Sequence, residues 1–313
     1  MKTAFIFPGQ GAQSLGMLAD AGTEWPIVRQ TFNEASEVLG FDLWDICQRG
    51  PEEELNSTAV TQPALLTASV ALWRQWLLDG GAKPDYVAGH SLGEYSALVA
   101  AESLRFLDAV RLVRLRGELM QNAVPRNEGR MAAIIGLEDD AVREVCAAAA
   151  EGEVVEAVNF NAPGQVVIAG HTEAVRRALE LAKEKGARKV VTLAVSVPSH
   201  CALMREAAKE LAEDLQSVSM DSAVIPVVQN VTATVETDRA VLIENLVKQL
   251  YSPVLWTDVV RQLASLGVTS VVECGPGRVL SGLVKRIDRS LALHSLESVD
   301  DYSAAMAALK ADT

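Results

Sequence analysis

The sequence predicts an α/β protein, with a mostly parallel sheet covered by helices and interrupted by a smaller unit of different strand order. Three observations lead there. Short β-rich runs that end in glycine or a turn, "TAFIFPG", "DYVAGH" and "TSVVECGPG", alternate with longer helical patterns toward both ends of the chain, as in sheets whose parallel strands are joined by helices. From Arg130 onward the rhythm changes to shorter strands and two helices in close succession. The length, 313 residues with 49% apolar content, suffices for more than one core.

Taken in order, the first strand is the apolar run Ala4 to Phe7, and a helix is expected near Ile27 to Leu39. A second long helix covers "PALLTASVALWRQWLLDG"; the strand "DYVAGH" then runs into the helix "SLGEYSALVAA", and another helix covers Asp108 to Gln121. The middle reads as strand "MAAIIGL", helix "DDAVREVCAAAAEG", strand "VVEAVNF", turn "NAPG", strand "QVVIAG", helix "TEAVRRALELAKEKG" and strand "RKVVTLAV". That βαββαβ order is the ferredoxin-like pattern, large enough for its own small core. Afterwards "AVIPVVQN" and "TSVVECGPG" restore the earlier style, so the main domain is expected to be discontinuous, residues 1–126 and 197–313, around an inserted unit at 127–196. There is no repeat of fixed period and no low-complexity tract.

Composition removes several function classes. A formal charge of −13 argues against nonspecific nucleic-acid binding, which needs a basic face. The opening apolar stretch is too short for a secretion signal or a membrane span, and no later run approaches the length of one, so the expectation is a cytoplasmic protein with no membrane partner. Cys47, Cys146, Cys201 and Cys274 are widely spaced without a CxxC pair, which suggests neither a disulfide framework nor a zinc site.

The chemistry concentrates in "GHSLG", residues 89–93, a G-x-S-x-G sequence with a strand before it and a helix after it. In that setting Ser91 reads as a nucleophile on a strained turn at the carboxyl end of a strand, with Gly89 and Gly93 needed because side chains there would collide with neighbouring backbone. The competing reading makes Ser91 an ordinary helix N-cap, with Glu94 three residues later completing a capping box; the strand-to-helix context favours the nucleophile. A serine hydroxyl needs a base, and the chain has only His90, His171, His200 and His294. His200, in "VSVPSH", follows a β-rich run and a proline-fixed turn where the chain returns to the main sheet. It is the best candidate through shortage of alternatives, a satisfied or solvated histidine being the other reading. On a wheel at 100° per residue, Arg116 falls within the apolar arc of Leu112, Leu115, Leu119 and Met120. A buried guanidinium calls for an anion, either a protein carboxylate in a core salt bridge or a substrate carboxylate.

The segments "FPGQGAQ", "TQPALLTASVAL", "GHSLGEYSALVAA", "RLRGELMQ", "VNFNAPGQVVIAGH", "VSVPSHCALM", "LYSPVLW" and "GPGRVLSGLVKR" together resemble the bacterial malonyl-CoA:acyl carrier protein transacylases over nearly the whole chain. The resemblance implies a hydrolase-like α/β domain carrying a ferredoxin-like insertion, and malonyl transfer for fatty acid synthesis. It implies that Ser91 accepts the acyl group, that His200 is its general base, and that the backbone carbonyl of Gln249 orients the imidazole in place of a carboxylate. It also implies an oxyanion hole from the backbone N–H groups of Gln10 and Leu92, and an Arg116 that holds the free carboxylate of malonate in a bidentate fork. Gln62, Asn159 and Asn161 lie in matching segments and are candidates for the pocket.

The expected reaction is a ping-pong transfer from malonyl-CoA to the phosphopantetheine thiol of an acyl carrier protein, by a monomer, with no metal or redox cofactor. Such carriers are usually acidic, as is this chain, so docking calls for a basic island. Arg278, Lys285 and Arg289, at i, i+7 and i+11 with Arg286 beside them, are placed on one side of the helix expected after "GPG"; a solvated helix face is the plainer reading. Rival functions are a serine esterase or thioesterase, a binding subunit without catalysis, and malonyl transfer in a polyketide or malonate decarboxylase system.

Overall fold

The computed structural model describes residues 2–125, 127–195 and 197–311. The expected domain boundaries fall at Arg126 and Ser196, which lie outside the described residues. Among those described, ten strands form two sheets: β1 (Lys2–Phe7), β2 (Tyr86–Gly89), β3 (Gly129–Ile135), β4 (Val155–Ala162), β5 (Gln165–His171), β6 (Lys189–Thr192), β7 (Val227–Val228), β8 (Val235–Glu236), β9 (Val268–Glu273) and β10 (Ala292–Ser295).

The larger sheet has the order β10-β9-β1-β2-β7-β8 and is parallel except for the β7–β8 pair at its edge. β1 is flanked by β9 and β2 and covered on both faces, which explains its unbroken apolar run. Phe5 and Phe7 enter the cluster beneath the helices of the first hundred residues, and Ala4 and Ile6 the cluster on the opposite face with Trp256 and Val271. On the first face, Phe5 meets Trp73 and Trp76 of the helix Thr58–Leu78 edge-on, at ring separations of 5.4 and 5.2 Å. The expected strand "AVIPVVQN" shrinks to the two residues of β7. Pro226 has no N–H to donate, so it joins the ladder only as an acceptor, from the Val87 N–H.

The smaller sheet, β4-β5-β3-β6, is antiparallel throughout, in the order the βαββαβ pattern predicts. Its two helices, Asp139–Ala149 and Thr172–Glu184, bury stripes of Val142, Val145, Cys146 and Ala149, and of Ala174, Val175, Ala178 and Ala182, against one face. The other face carries Met131, Val158, Val167 and Ala169, and Cys201 packs there. The residue after His200 is thus anchored on the inserted sheet, while Ser91 follows β2 of the larger one. The two sheets meet at the site. No helix among the described residues is long and apolar enough to cross a membrane.

The join between β2 and the helix Gly93–Ala100 tolerates no side chain at its glycines. A Cβ on Gly89 would lie 1.9 Å from the Gly93 carbonyl carbon, and one on Gly93 would lie 2.0 Å from the Phe7 carbonyl oxygen. By contrast, Gly282, inside the helix Val279–Ile287, has open space around it. We expect Gly93→Ala to lower unfolding free energy by about 3 kcal/mol or more, because backbone must move, and Gly282→Ala to raise it by up to about 1 kcal/mol. Denaturant unfolding of both variants measures the contrast; equal effects would show that the elbow is not closely packed.

Candidate active site

Ser91 and His200 both have left-handed backbones, with φ of 51° and 66°. This conformation costs a non-glycine residue on the order of 1–3 kcal/mol and persists only where surrounding contacts hold it. Around Ser91 the holding residue is Asn230, whose Oδ1 accepts the Ser91 N–H at 2.7 Å while its Nδ2 donates to the Gly89 carbonyl at 2.6 Å. The His200 N–H donates to the Leu250 carbonyl at 2.9 Å. The capping box open to Ser91 and Glu94 does not form: Asn230 already takes the Ser91 N–H, and no side chain caps the helix. Glu94 instead turns inward, its carboxylate accepting from the side-chain amides of Gln249 and Gln229.

The Ser91 hydroxyl lies 2.8 Å from His200 Nε2, and Nδ1 of the same ring lies 2.6 Å from the Gln249 carbonyl oxygen. A carbonyl can only accept, so Nδ1 carries the proton and Nε2 presents its lone pair to the hydroxyl. Burial first, and then the positive charge of Arg116, lower the imidazole from its usual value to about 3, against the pull of the Gln249 carbonyl. The ring is a neutral acceptor at ordinary pH. Burial also lowers His90, and raises the Glu94 carboxyl to about 7 against its two amide donors.

Arg116 is 1% exposed and makes no ion pair among the described residues. Its Nη1 donates to Gln62 Oε1 at 2.8 Å and its Nη2 to Gln249 Oε1 at 2.9 Å, and Nη2 also reaches Ser91 Oγ at 3.2 Å. The Tyr95 ring lies 5.5 Å from the guanidinium carbon, and Nε has no partner among the described residues. Two neutral amide oxygens therefore hold a dry cation beside the serine hydroxyl. The core salt bridge left open by the helix pattern does not form among the described residues.

These groups open into a cavity of about 380 Å³ lined by Gln10, Ser91, Leu92, Arg116, Asn159 and His200, among others. Leu92 is buried and Gln10 exposed, and neither backbone N–H has an acceptor among the described residues. Of the other pocket candidates, only Asn159 lines the cavity, its Oδ1 buried without a partner among the described residues. Gln62 stands behind Arg116, and Asn161 bonds His90 Nε2 through Oδ1 at 2.8 Å, fastening the inserted sheet to the elbow.

The expected basic helix face is not formed as drawn. The helix spans Val279–Ile287, so Arg278 is its N-cap and Arg289 lies beyond its extended C-cap, Asp288. Helical spacing does not extend to either arginine. Arg278 is moreover paired with Glu297 and Asp301, and Arg286 donates to the Gln165 side chain. Lys285, Arg286 and Arg289 remain exposed. Sequence reasoning also missed Asn230, Gln229 and the side-chain role of Gln249. The signal for Gln229 and Asn230 is a pair of amides, "QN", after a predicted strand, which acquires meaning once β7 is seen beside β2.

A strand-to-helix elbow bearing a serine, with a histidine against it and a cavity above, is the frame of an acyl transferase, and the family model described as "Acyl transferase domain" matches residues 4–306. Within that class, the chain belongs to the malonyl-CoA:acyl carrier protein transacylase family. It is 55% identical over 303 residues to the malonyl CoA-acyl carrier protein transacylase of Escherichia coli, covering 97% of this chain and 98% of that one. The corresponding protein of Bacillus subtilis is 45% identical over 310 residues, covering 99% and 98%. A crystal structure of an acyl carrier protein S-malonyltransferase from Vibrio cholerae superposes with a TM-score of 0.95 at 54% identity, covering 97% of this chain and 100% of that one. A malonyl-transacylase solved in complex with a type II polyketide acyl-carrier protein superposes at 0.97 with 52% identity, covering 98% and 100%.

The depressed imidazole gives a direct measurement. In ¹⁵N NMR of histidine-labelled protein, the His200 ring should stay neutral, with Nδ1 protonated, between about pH 5 and 8, and Arg116→Ala should raise its titration. A wild-type midpoint near the ordinary value of 6.5 would mean that the ring is neither desolvated nor opposed by the guanidinium.

Proposed function

We propose that this protein transfers the malonyl group of malonyl-CoA to the phosphopantetheine thiol of an acyl carrier protein, through a malonyl ester on Ser91, in the cytoplasm and as a monomer, supplying fatty acid synthesis. The observation that carries the substrate is Arg116, a buried cation with amide oxygens behind it and an Nη2 donor 3.2 Å from the Ser91 hydroxyl. A short acyl chain ending in a carboxylate, joined to that hydroxyl, brings its anion to the guanidinium. Bidentate pairing there needs the planar fork that arginine has and lysine lacks.

In the first half-reaction Ser91 Oγ attacks the thioester carbonyl and its proton passes to His200 Nε2. The N–H groups of Gln10 and Leu92 receive the developing oxyanion, a contribution of a few kcal/mol (roughly 3 each) where such donors are preorganised. The tetrahedral adduct collapses, the C–S bond breaks, and the departing CoA thiolate takes the proton from Nε2. The carrier thiol then repeats these steps in reverse and restores the serine. Each half exchanges one acyl bond for another and returns its proton, so the chemistry requires neither a metal nor a redox cofactor.

Arg116 also links substrate to base. Its charge helps to depress His200; a malonyl carboxylate paired with the guanidinium cancels that charge and raises the basicity of Nε2 as the substrate arrives. Acetyl-CoA brings no such anion. The exposed Lys285, Arg286 and Arg289 offer the carrier a local basic surface on an otherwise acidic protein.

Two variants test this reading. Ser91→Ala should show no covalent malonyl adduct by intact-protein mass spectrometry after exposure to malonyl-CoA, and an adduct of wild-type yield would remove Ser91 from the mechanism. Arg116→Ala should lose malonyl transfer and gain acetyl transfer, a combined shift on the order of 3–5 kcal/mol, or a factor of hundreds or more in the ratio of kcat/KM values. Proportional loss of both activities with a lowered Tm would reject the carboxylate clamp.

A further inference from the structure

Arg116 is held by amide oxygens, yet an amide is a two-faced group. Turning a glutamine side-chain amide over exchanges its oxygen and its NH2 with almost no change of shape. Had Gln249 the other orientation, it would present N–H donors to a guanidinium that has only donors. Something must decide the orientation, and the contacts behind Gln249 identify it.

Gln249 Nε2 donates to Glu94 Oε2 at 2.5 Å and to the Ser91 carbonyl at 3.0 Å. Glu94 is 1% exposed, and its other oxygen accepts from Gln229 Nε2 at 3.1 Å. Gln229 is oriented in turn by Asn245, whose Nδ2 donates to Gln229 Oε1 at 2.6 Å. The chain Asn245–Gln229–Glu94–Gln249–Arg116–Gln62 therefore runs through the core with a donor facing an acceptor at each link. Glu94 is the one group in it that accepts on both sides. An ionised carboxylate has no proton to give, so both neighbouring amides turn their NH2 groups toward it, and Gln249 is left with its oxygen toward Arg116.

The placement also divides the charges. Glu94 and Arg116 are opposite charges in one dry region, separated by a single amide and not in contact. A direct ion pair would occupy the guanidinium fork; with an amide between them, the cation is compensated and its donors remain on the serine side. We propose that Glu94 is the positioning residue of the substrate clamp, setting the Gln249 amide so that Arg116 faces the acyl site with donors available to a carboxylate. This rests on the reading of Arg116 as the malonyl carboxylate's partner.

Glu94→Gln keeps the shape and removes the two-sided acceptor. Whichever way the new amide lies, it presents a donor to Gln229 or to Gln249. Where that donor faces Gln249, two NH2 groups oppose each other and the Ser91 carbonyl alone is left to accept from Gln249 Nε2. Initial rates of transfer to carrier protein from malonyl-CoA and from acetyl-CoA, on the alkaline side of the Glu94 carboxyl, read the result. KM for malonyl-CoA should rise between about tenfold and a hundredfold, the worth of a charge-assisted hydrogen bond. The corresponding kcat and the kcat/KM for acetyl-CoA should stay within about threefold of wild type. In an Arg116→Ala background the same substitution should leave the malonyl-to-acetyl preference unchanged, because Glu94 acts through the arginine.

Equal loss with both thioesters, or an undiminished effect of Glu94→Gln in the Arg116→Ala background, overturns the proposal while leaving the clamp itself standing. If Arg116→Ala alone leaves malonyl preference intact, the clamp reading fails and this inference falls with it. Should Glu94→Gln not fold, Gln249→Met removes the relay amide and keeps the backbone carbonyl that meets His200; a malonyl-to-acetyl preference unchanged in that variant overturns the proposal equally.

Discussion

The hydrogen bond between His200 Nδ1 and the Gln249 carbonyl, 2.6 Å long, stands where serine hydrolases commonly use a carboxylate. Gln249 is the last residue of the helix Arg239–Gln249. Carbonyls of a last helical turn have no partner within the helix and lie at its negative end, so this oxygen is both available and polarised toward a proton-bearing ring nitrogen. The left-handed turn at His200, the N–H of His200 on Leu250 and the packing of Cys201 on the inserted sheet bring the ring to it. A carboxylate at that point would add a second buried anion within a few residues' contact of Glu94. A neutral acceptor orients the imidazole and adds no further desolvation penalty.

The same residue turns a second, chemically independent group toward the guanidinium. The backbone of Gln249 serves the base and its side chain serves the cation, so base and clamp share one rigid support, fully buried at the end of a helix. Misplacement of reacting groups by about 1 Å is enough to slow an enzyme severely. Common support for the two groups limits how far they drift apart.

Much of this was legible in the sequence because it depends on local pattern. The strand Ala4 to Phe7, the elbow glycines and the βαββαβ order each follow from periodicity or from steric demands confined to a few neighbouring residues. The arginine on the apolar arc was legible too, although its partners were not: Gln62 and Gln249 are 54 and 133 positions away. Glu94 entered the sequence reading only through the competing capping box, which its spacing from Ser91 fits. Only the approach of Asn230, from the turn after β7 and 139 positions on, removes the N–H that such a box needs. The basic helix face failed through helix length, since periodicity carries no information beyond the last helical residue. His200 was the best candidate among four histidines before the family resemblance agreed with it, whereas the Gln249 carbonyl came from the resemblance alone.

The two sheets are hydrogen-bonded as separate sets. Between them run the bonds of Val254 with Val158 and Phe160, the Thr257 hydroxyl on the Phe160 carbonyl, and the His90–Asn161 contact. Ser91 and Arg116 belong to the larger unit, whereas Met131, Asn159, Leu193 and Val195 line the cavity from the inserted one. The nucleophile and the opposite wall are therefore carried by different sheets, which are coupled through the packing of Cys201, beside His200, on the inserted one. Room for a bulkier acyl group would have to come from positions such as Met131 and Leu193, and both pack in the cluster that holds Cys201, so remodelling this wall also bears on the base. The insertion is at once the far wall of the acyl site and part of the support on which its base is mounted.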